Sequence, residues 1–253
     1  MTNRFFADRS VSRWERDEIL LAGDEAHHFS KVMRGKAGDS LVLFDGTGTY
    51  VHGIAEAVQK EGVRVRITDT FSDEVESPLR LTVAAALPKG ERQRFLIEKL
   101  AELGVARFVP VLMERSVARA NESAVQRLRR YVIEAAKQCG RNVLMEITEE
   151  VPIEKLDELF REETFTKYLL HPAALGSVGQ KTPRQILAEP HLAGASHVPE
   201  RIVILVGPEG SFTDREVEEM IHAGFIPLDL GKRILRTETA CIAAAALLLT
   251  YAG

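Results

Sequence analysis

The chain has 253 residues, of which 45% are hydrophobic and 28% are charged, and its formal net charge is −4. This length corresponds to one or two domains, and the composition is that of a globular protein rather than a disordered, fibrous or disulfide-rich one. It begins MTNRFFADRS, without a signal-peptide core, and its longest apolar run, residues 240–249, is shorter than the ~20 residues of a membrane span. We therefore expect a cytoplasmic protein that contacts no membrane.

Two isolated cysteines, Cys139 and Cys241, bear on metal and redox chemistry. Neither belongs to a CxxC motif or to a Cys/His cluster, so the sequence predicts neither a metal site nor a disulfide. Both lie in apolar or helical surroundings, and we expect both to be buried as small hydrophobic residues.

Charge is unevenly distributed along the chain. Residues 88–145 contain 12 Lys and Arg against 6 Asp and Glu, whereas residues 146–200 contain 5 against 10. A basic stretch within an acidic protein indicates a local contact with a polyanion, although solvated helix faces would give the same counts.

The first part of the chain has short, strand-like apolar runs. Two β-rich runs surround the turn signals of Asp45, Gly46 and Gly48, and GVRVRIT alternates with period two, which places Arg64 and Arg66 on one exposed face. One helix interrupts them, with Asp24 as its N-cap and Gly35 as its stop. We therefore predict a small β-barrel domain over residues 1–71, followed by an acidic linker over residues 72–78.

Strands and helices then alternate over residues 79–253. The strands are LRLTVAAALPKG, ARFVPVLM, TKYLLH, RIVILVG and IPLDLG, and the helices are ERQRFLIEKLAELG, ESAVQRLRRYVIEAAKQCG, PIEKLDELF, TDREVEEMIHAG and the C-terminal segment. In the second helix, an apolar stripe is formed by Val125, Leu128, Val132, Ala135, Ala136 and Cys139. Residues 176–200 are predicted to be an irregular crossing. This alternation is typical of an α/β domain with a mostly parallel sheet.

Three late loops follow apolar strands and so converge on one sheet edge: LLHP, VGPEGSF and LGKRILRTET. Neither GxGxxG nor GxxxxGK[ST] follows a strand in this chain. In VGPEGSF, Pro208 removes a backbone donor and Glu209 adds negative charge, which suits a phosphate poorly. The loop fits a ligand with adenine, ribose and a cationic centre, such as S-adenosylmethionine (SAM), unless it is only a tight turn before the capping box of Thr213 and Glu216.

The segment from Lys232 to Thr239 is rich in Arg and Thr and leads into an alanine-rich apolar helix. Thr237 or Thr239 can cap this helix, and its alanines allow close approach to another element or to a second subunit. Arg233 and Arg236 at the mouth of a buried helix are costly unless they are paired or functional.

These motifs together resemble the RsmE family of 16S ribosomal RNA (uracil-N3) methyltransferases, which belongs to the SPOUT superfamily. The resemblance covers essentially the whole chain and is carried by the segments HHFSKVMRGKAGD, LFDG, PKGERQRFLIEKLAELGV, ERSV, EAAKQCGR, LLHP, GPEG and LGKRILRTETA. It implies a PUA-like RNA-binding barrel followed by a SPOUT-type parallel-sheet domain with a C-terminal trefoil knot that binds SAM, and a homodimer. Ser211 departs from the glycine usual in the family and would be strained if its φ were positive.

The resemblance also implies site residues. Cofactor contacts are expected from Leu170, His171, Pro172, Val206, Gly207, Pro208, Glu209, Gly210, Leu230, Gly231, Ile234, Leu235, Arg236, Thr237, Thr239 and Ala240. Arg236 is expected to stabilise negative charge on the uracil, since its guanidinium stays charged. Glu209 or Glu238 would accept the N3 proton or order neighbouring N–H groups.

RNA contacts are expected from the basic side chains Arg4, Arg9, Lys31, Arg34, Arg127, Arg129 and Arg130. Each of them, considered alone, is also what an ordinary solvent-exposed surface residue would look like. The adjacent His27 and His28 point in different directions on a helix, so packing or RNA contact is expected of them rather than a shared metal. The expected partner is 16S ribosomal RNA or the small ribosomal subunit. Two alternatives stay open: methylation of another RNA atom, such as a ribose 2′-hydroxyl, and a non-catalytic ribosome-assembly factor.

Overall fold

The structure is a computed structural model that describes residues 3–72, 76–161, 165–171, 181–182, 185 and 201–252. Its contacts divide the chain into two compact units. Unit 1 comprises Met1–Glu76 and Ile133–Leu144, and unit 2 comprises Ser77–Val132 and Met145–Gly253. The domain limits given above, residues 1–71, 72–78 and 79–253, remain a prediction, and most of residues 176–200 lie outside the described residues.

Unit 1 is built on a six-stranded sheet in the order β1-β4-β5-β6-β3-β2. Its strands are Asn3–Phe6 (β1), Arg13–Trp14 (β2), Glu18–Leu21 (β3), Ser40–Phe44 (β4), Thr49–Val58 (β5) and Val63–Ser72 (β6). β1 pairs with β4 in parallel, and the other pairs are antiparallel. In β6 the side chains of Val63 and Val65 are buried while Arg64 and Arg66 are exposed, which confirms the predicted alternation.

The helix of unit 1 differs from its prediction at both ends. It consists of an α-helix, Gly23–His27 (α1), continued by a π-helical turn, His28–Val32. Its N-cap is Ala22, so Asp24 lies in the first turn, where a carboxylate interacts favourably with the helix dipole. After the helix, Arg34 rather than Gly35 takes the left-handed conformation, with a φ of 57°. The ring of His28 packs edge-on against Phe5, with 6.0 Å between their centroids.

Unit 2 contains a seven-stranded parallel sheet, which confirms the predicted α/β class. Its path is β10-β8-β7-β12-β11-β13, and β9 pairs with β8. The strands are Arg80–Ala85 (β7), Arg107–Leu112 (β8), Glu146–Ile147 (β9), Val151–Pro152 (β10), Thr166–Leu170 (β11), Arg201–Val206 (β12) and Ile226–Leu228 (β13). In β7 and β12 nearly every residue is buried, as expected of strands covered on both faces.

After β7, the α-helices whose bounds the structure gives are Arg92–Leu103 (α2), Glu122–Cys139 (α3), Asp214–His222 (α4) and Thr237–Ala252 (α5). Ile153–Phe160 forms a 3₁₀-helix. In α3 the predicted stripe is buried except for Cys139, which is exposed because it ends the helix beside Gly140; its predicted burial was wrong. Among the helices that the structure describes, none is long and apolar enough to cross a membrane.

Candidate active site

A cavity of about 630 Å³ lies at the carboxyl edge of the parallel sheet in unit 2. It forms where three neighbouring strands end, and Leu170 of β11, Val206 of β12 and Leu228 of β13 contribute to its wall. This edge is where open parallel sheets bind ligands, and pockets for small molecules have volumes of about 300–1,000 Å³. The three late loops therefore converge as the sequence predicted.

Most of the expected cofactor residues line this cavity. They are Leu170, His171, Val206, Gly207, Pro208, Glu209, Leu230, Gly231, Ile234, Leu235, Arg236, Thr237 and Ala240. Gly210 and Thr239 are not part of its wall, and Pro172 lies outside the described residues. Six residues line the cavity that had not been predicted as cofactor contacts: Arg92, Ser211, Phe212, Leu228, Asp229 and Arg233. The roles of all these residues remain predictions.

The GPEG loop between β12 and α4 makes a tight turn against its own side chains. The amide of Ser211 donates to the carbonyl of Pro208 at 2.9 Å, and Ser211 has a φ of 62°, the positive value that was expected to strain a serine. A Cβ at Gly207 would lie 2.8 Å from the ring of Phe212. A side chain at Gly207 would therefore displace the ring of Phe212, which also stacks on His171.

The segment after β8 stabilises the GPEG loop and the start of α4 through hydrogen bonds. Arg115 donates to the carbonyls of Gly210 at 3.0 Å and Phe212 at 3.3 Å. The carboxylate of Glu216 accepts from the amide of Glu114 at 2.9 Å and from that of Thr213 at 2.8 Å. The Glu216 amide donates to the Thr213 hydroxyl, so the predicted capping box at the start of α4 is confirmed.

Thr237 is the first residue of α5, and its side chain does not cap that helix as expected. Its hydroxyl donates to the carbonyl of Gly207 at 2.9 Å, and its side chain is buried. The hydroxyl is thereby used to join two of the convergent loops. Thr239, the other candidate cap, lies within the helix and is exposed.

Charged side chains are concentrated at the cavity. Arg92, at the start of α2, forms an ion pair with Glu209 at 2.5 Å and lies 3.9 Å from Glu238. Glu238 is only 6% exposed, and its Oε2 atom has no hydrogen-bond partner among the described residues. Arg233 and Arg236, which were expected to be paired or functional, are exposed and line the cavity.

Sequence reasoning missed Arg92 and Asp229 as cavity residues. Both follow strands of the sheet at its carboxyl edge, so their position after β7 and β13 was the signal that could have identified them. Asp229 accepts from the amide of Gly231 at 2.9 Å, which shapes the loop before α5. No group of three or more potential metal ligands occurs among the residues that the structure describes.

The four basic residues of unit 1 that were expected to contact RNA fall into two pairs. Arg4 donates to the side chain of Asn142 and to the carbonyl of Gly140. The guanidinium of Arg9 is held by Asp45 and lies over the Trp14 ring, 4.5 Å from its centroid. Lys31 and Arg34 form the second pair; both are exposed, as Arg9 also is. These contacts give Arg4 and Arg9 structural roles and leave their contact with RNA untested.

The three basic residues of α3 also differ in their contacts with the rest of the protein and in their exposure. Arg127 donates to the side chain of Gln93 at 3.1 Å, and Arg129 donates to the carbonyl of Ile147 at 3.0 Å. Arg129 and Arg130 are exposed. RNA contact by this helix also remains a prediction.

Comparison with known proteins identifies the family. Residues 75–249 match the sequence model described as RNA methyltransferase domain, and residues 21–68 match that of the RNA methyltransferase PUA domain. The chain is 30% identical to the ribosomal RNA small subunit methyltransferase E of Synechocystis over 88% of this chain and 69% of that protein. It is 28% identical to the Bacillus subtilis protein of the same name over 94% and 92%.

Solved structures agree with these matches. The Neisseria gonorrhoeae ribosomal RNA small subunit methyltransferase E bound to SAM is 30% identical, with a TM-score of 0.79 and coverage of 99% of this chain and 98% of that chain. A Legionella pneumophila protein in complex with the bound cofactor SAM is 32% identical, with a TM-score of 0.84 and the same coverage.

The two matched sequence models place the chain in the class of RNA methyltransferases, and the loop-lined cavity at the carboxyl edge of the parallel sheet lies within the methyltransferase match. The chain belongs to the ribosomal RNA small subunit methyltransferase E family. The predicted SPOUT-type methyltransferase domain and PUA-like domain are thereby confirmed, while the trefoil knot stays a prediction.

Proposed function

We propose that this chain is a SAM-dependent methyltransferase that methylates N3 of a specific uridine in 16S ribosomal RNA. The main support for this function is the cavity at the carboxyl ends of β11, β12 and β13. Its wall includes both Glu209 of the GPEG loop and Arg236 of the ILRTET segment. These are the two segments on which the family resemblance is most specific. Two relatives that were solved with SAM support the choice of cofactor.

The residues of the cavity fit SAM better than a nucleotide phosphate. Pro208 has no N–H to donate, and Glu209 adds a negative charge where a phosphate would need positive charge. Gly207 and Gly210 have side-chain atoms of Phe212 and Arg115 where a Cβ would lie, which keeps the loop compact. Bound SAM supplies an electrophilic methyl group on a positively charged sulfur.

The reaction requires the uracil N3 to lose its proton and present a lone pair to the methyl group. The new N–C bond forms as the C–S bond breaks, and negative charge develops on the uracil oxygens before transfer. Arg236 is exposed at the cavity, so its guanidinium is placed to donate to those oxygens. Arg233 adds a second guanidinium at the same wall.

The proton acceptor is Glu209 or Glu238. The ion pair between Glu209 and Arg92 supports an ordering role for Glu209, because the guanidinium already engages its carboxylate. Glu238 keeps one oxygen without a hydrogen-bond partner among the described residues, but it is not part of the cavity wall. General-base assistance contributes about 10²–10⁴-fold where it operates.

The target uridine must be unstacked before it enters the cavity. We propose that exposed cations of unit 1, among them Lys31 and Arg34, hold the surrounding RNA through its phosphates. Arg4 and Arg9, through their contacts within unit 1, would then support the RNA-binding surface and also contact the RNA at its edge. Since the substrate is ribosomal RNA, we propose that the protein works in the cytoplasm.

We propose further that two copies of the chain form a homodimer. Ile234, in the loop that lines the cavity, is 88% exposed, and on α5 Ala243 is exposed while Ile242 and Ala246 are only half-buried. Burying these apolar groups against a second copy would stabilise the pair. Light scattering should give a dimer for the wild type and for K232D, and a lower mass for I234D. A monomeric wild type would contradict the dimer.

Methyl transfer tests the proposed activity directly. Protein and labelled SAM are incubated with small ribosomal subunits, and separately with naked 16S RNA, both lacking the modification, and the digested nucleosides are separated. We expect label in 3-methyluridine, a large loss of label with R236A, and wild-type activity with K232A in the same loop. Label in a 2′-O-methylated nucleoside would move the target atom, and no label despite SAM binding would indicate an assembly factor.

A further inference from the structure

Arg92 and Glu209 on the cavity wall and Glu238 behind it form an unbalanced group of charges, which we call the charge cluster. Arg92 is the one cation of the cluster, and both carboxylates lie within 4 Å of its guanidinium, at 2.5 Å and 3.9 Å. With both carboxylates ionised, the cluster carries one net negative charge. Its members come from three different elements, namely the start of α2, the GPEG loop and the first turn of α5.

These charges are only partly screened by solvent. Arg92 and Glu209 have about one third of their side chains exposed, 33% and 37%, and the Glu238 side chain is 7% exposed. Charges near a protein surface interact several times more strongly than in bulk water, so a ligand beside the charge cluster experiences the cluster's local charge. Asp229, Arg233 and Arg236 also line the cavity and together add one positive charge, so the negative charge is local to the cluster and does not extend to the cavity as a whole.

We propose that Arg92 sets the charge of this cluster, so that the charge cluster favours a sulfonium ligand over the neutral thioether that remains after methyl transfer. The inference rests on the proposed function, since SAM carries a positive charge on sulfur and S-adenosylhomocysteine (SAH) does not. A local charge of −1 on the cluster attracts SAM without the greater cost of two unpaired carboxylates in a half-buried site. Arg92 is thus a positioning residue for Glu209 and also helps to determine ligand specificity.

The ratio of two dissociation constants measures this role. Calorimetry with the full-length protein gives Kd for SAM and for SAH, and the ratio Kd(SAH)/Kd(SAM) reports the charge felt at sulfur. R92M changes the cluster from −1 to −2 and should raise the ratio about fivefold, whereas E209Q changes it to 0 and should lower the ratio by a similar factor. R92K keeps the charge and should keep the wild-type ratio.

R94M is the matched control, because Arg94 lies on the same helix, is exposed and pairs with Glu98 outside the cavity. It removes the same charge and should leave the ratio unchanged. A loss of loop order alone would weaken SAM and SAH alike, so it would change both constants but not their ratio.

The outcomes separate this inference from the proposed function. If the wild type binds SAM but R92M and E209Q both keep its ratio, or shift it in the same direction, the charge cluster has no role in specificity and the cofactor assignment stands. If the wild type binds neither SAM nor SAH, both the inference and the proposed function are wrong.

Discussion

The hydroxyl of Thr237 donates a hydrogen bond to the carbonyl oxygen of Gly207 at 2.9 Å. Thr237 begins α5, and Gly207 follows β12, so this bond joins two loops that are separated by 30 residues in sequence. Both residues line the cavity. The position of the GPEG loop is therefore coupled to the start of the last helix by a single buried side chain.

Replacing Thr237 by Val should weaken cofactor binding. Valine has nearly the same shape but cannot donate, so the Gly207 carbonyl loses a partner at a cost of about 1 kcal/mol or more, which corresponds to about fivefold in Kd. Calorimetric titration with SAM measures this. T237S retains the hydroxyl and should bind within about twofold of the wild type. Equal affinities for T237V and wild type would mean that this hydrogen bond does not shape the site.

Replacing Ser211 by Gly should stabilise the protein. Ser211 has a φ of 62°, where a side chain is strained by about 1–2 kcal/mol, while the entropy cost of glycine is about 0.5–1 kcal/mol. Urea unfolding should therefore show a free energy of unfolding higher by up to about 1 kcal/mol. Ser123, in the first turn of α3, serves as the control, since S123G should be destabilising there. Destabilisation by S211G would show that the serine side chain contributes more than its strain costs.

The sequence predicted the structure best where a local pattern of residues is compatible with only one structure. Apolar runs of strand length separated by amphipathic helices indicated the parallel sheet, and the loops that follow β11, β12 and β13 indicated the edge at which the cavity lies. The capping box of Thr213 and Glu216 was recognisable because it depends on residues three apart. Each of these signals is local, or follows from strands being parallel.

Contacts between distant segments could not be predicted in the same way. The ion pair of Arg92 with Glu209 and the bond from Thr237 to Gly207 join segments whose register is set by packing of the whole sheet. Thr237 was expected to cap α5 because capping is the commonest local use of a threonine at that place, yet a tertiary acceptor takes its hydroxyl. Cys139 lies at the helical spacing of the apolar stripe on α3, which predicted burial, but its place at the end of the helix leaves it exposed.

Asp45 should make the stability of unit 1 dependent on pH in the acid range. Burial alone would raise the pKa of Asp45, but hydrogen bonds from Thr47 and Arg9 outweigh burial, and the pKa is lowered. A lowered folded pKa means that the ionised carboxylate stabilises the fold above the unfolded pKa of about 3.9, and that this is lost as the pH falls through the folded value. The loss in the urea midpoint between pH 6 and pH 3 should be smaller for D45N than for wild type. D69N, at an exposed site on β6, serves as the control and should lose as much in its urea midpoint as the wild type. If D45N also lost as much as the wild type, the pH dependence would have to come from other carboxylates.

The two cysteines should differ sharply in their reactivity. Cys139 is exposed at the end of α3, whereas burial, with a smaller contribution from the charge of Glu238, raises the pKa of the Cys241 thiol far above its usual value. Because the thiolate is the reactive form, a thiol reagent at pH 8 should label one site per chain in the folded protein and two in urea. Mass spectrometry of the peptides assigns the label, and C139S should abolish it in the folded state. Rapid labelling of Cys241 without denaturant would mean that the first turns of α5 open in the native protein, and would be incompatible with a firmly closed wall behind Glu238.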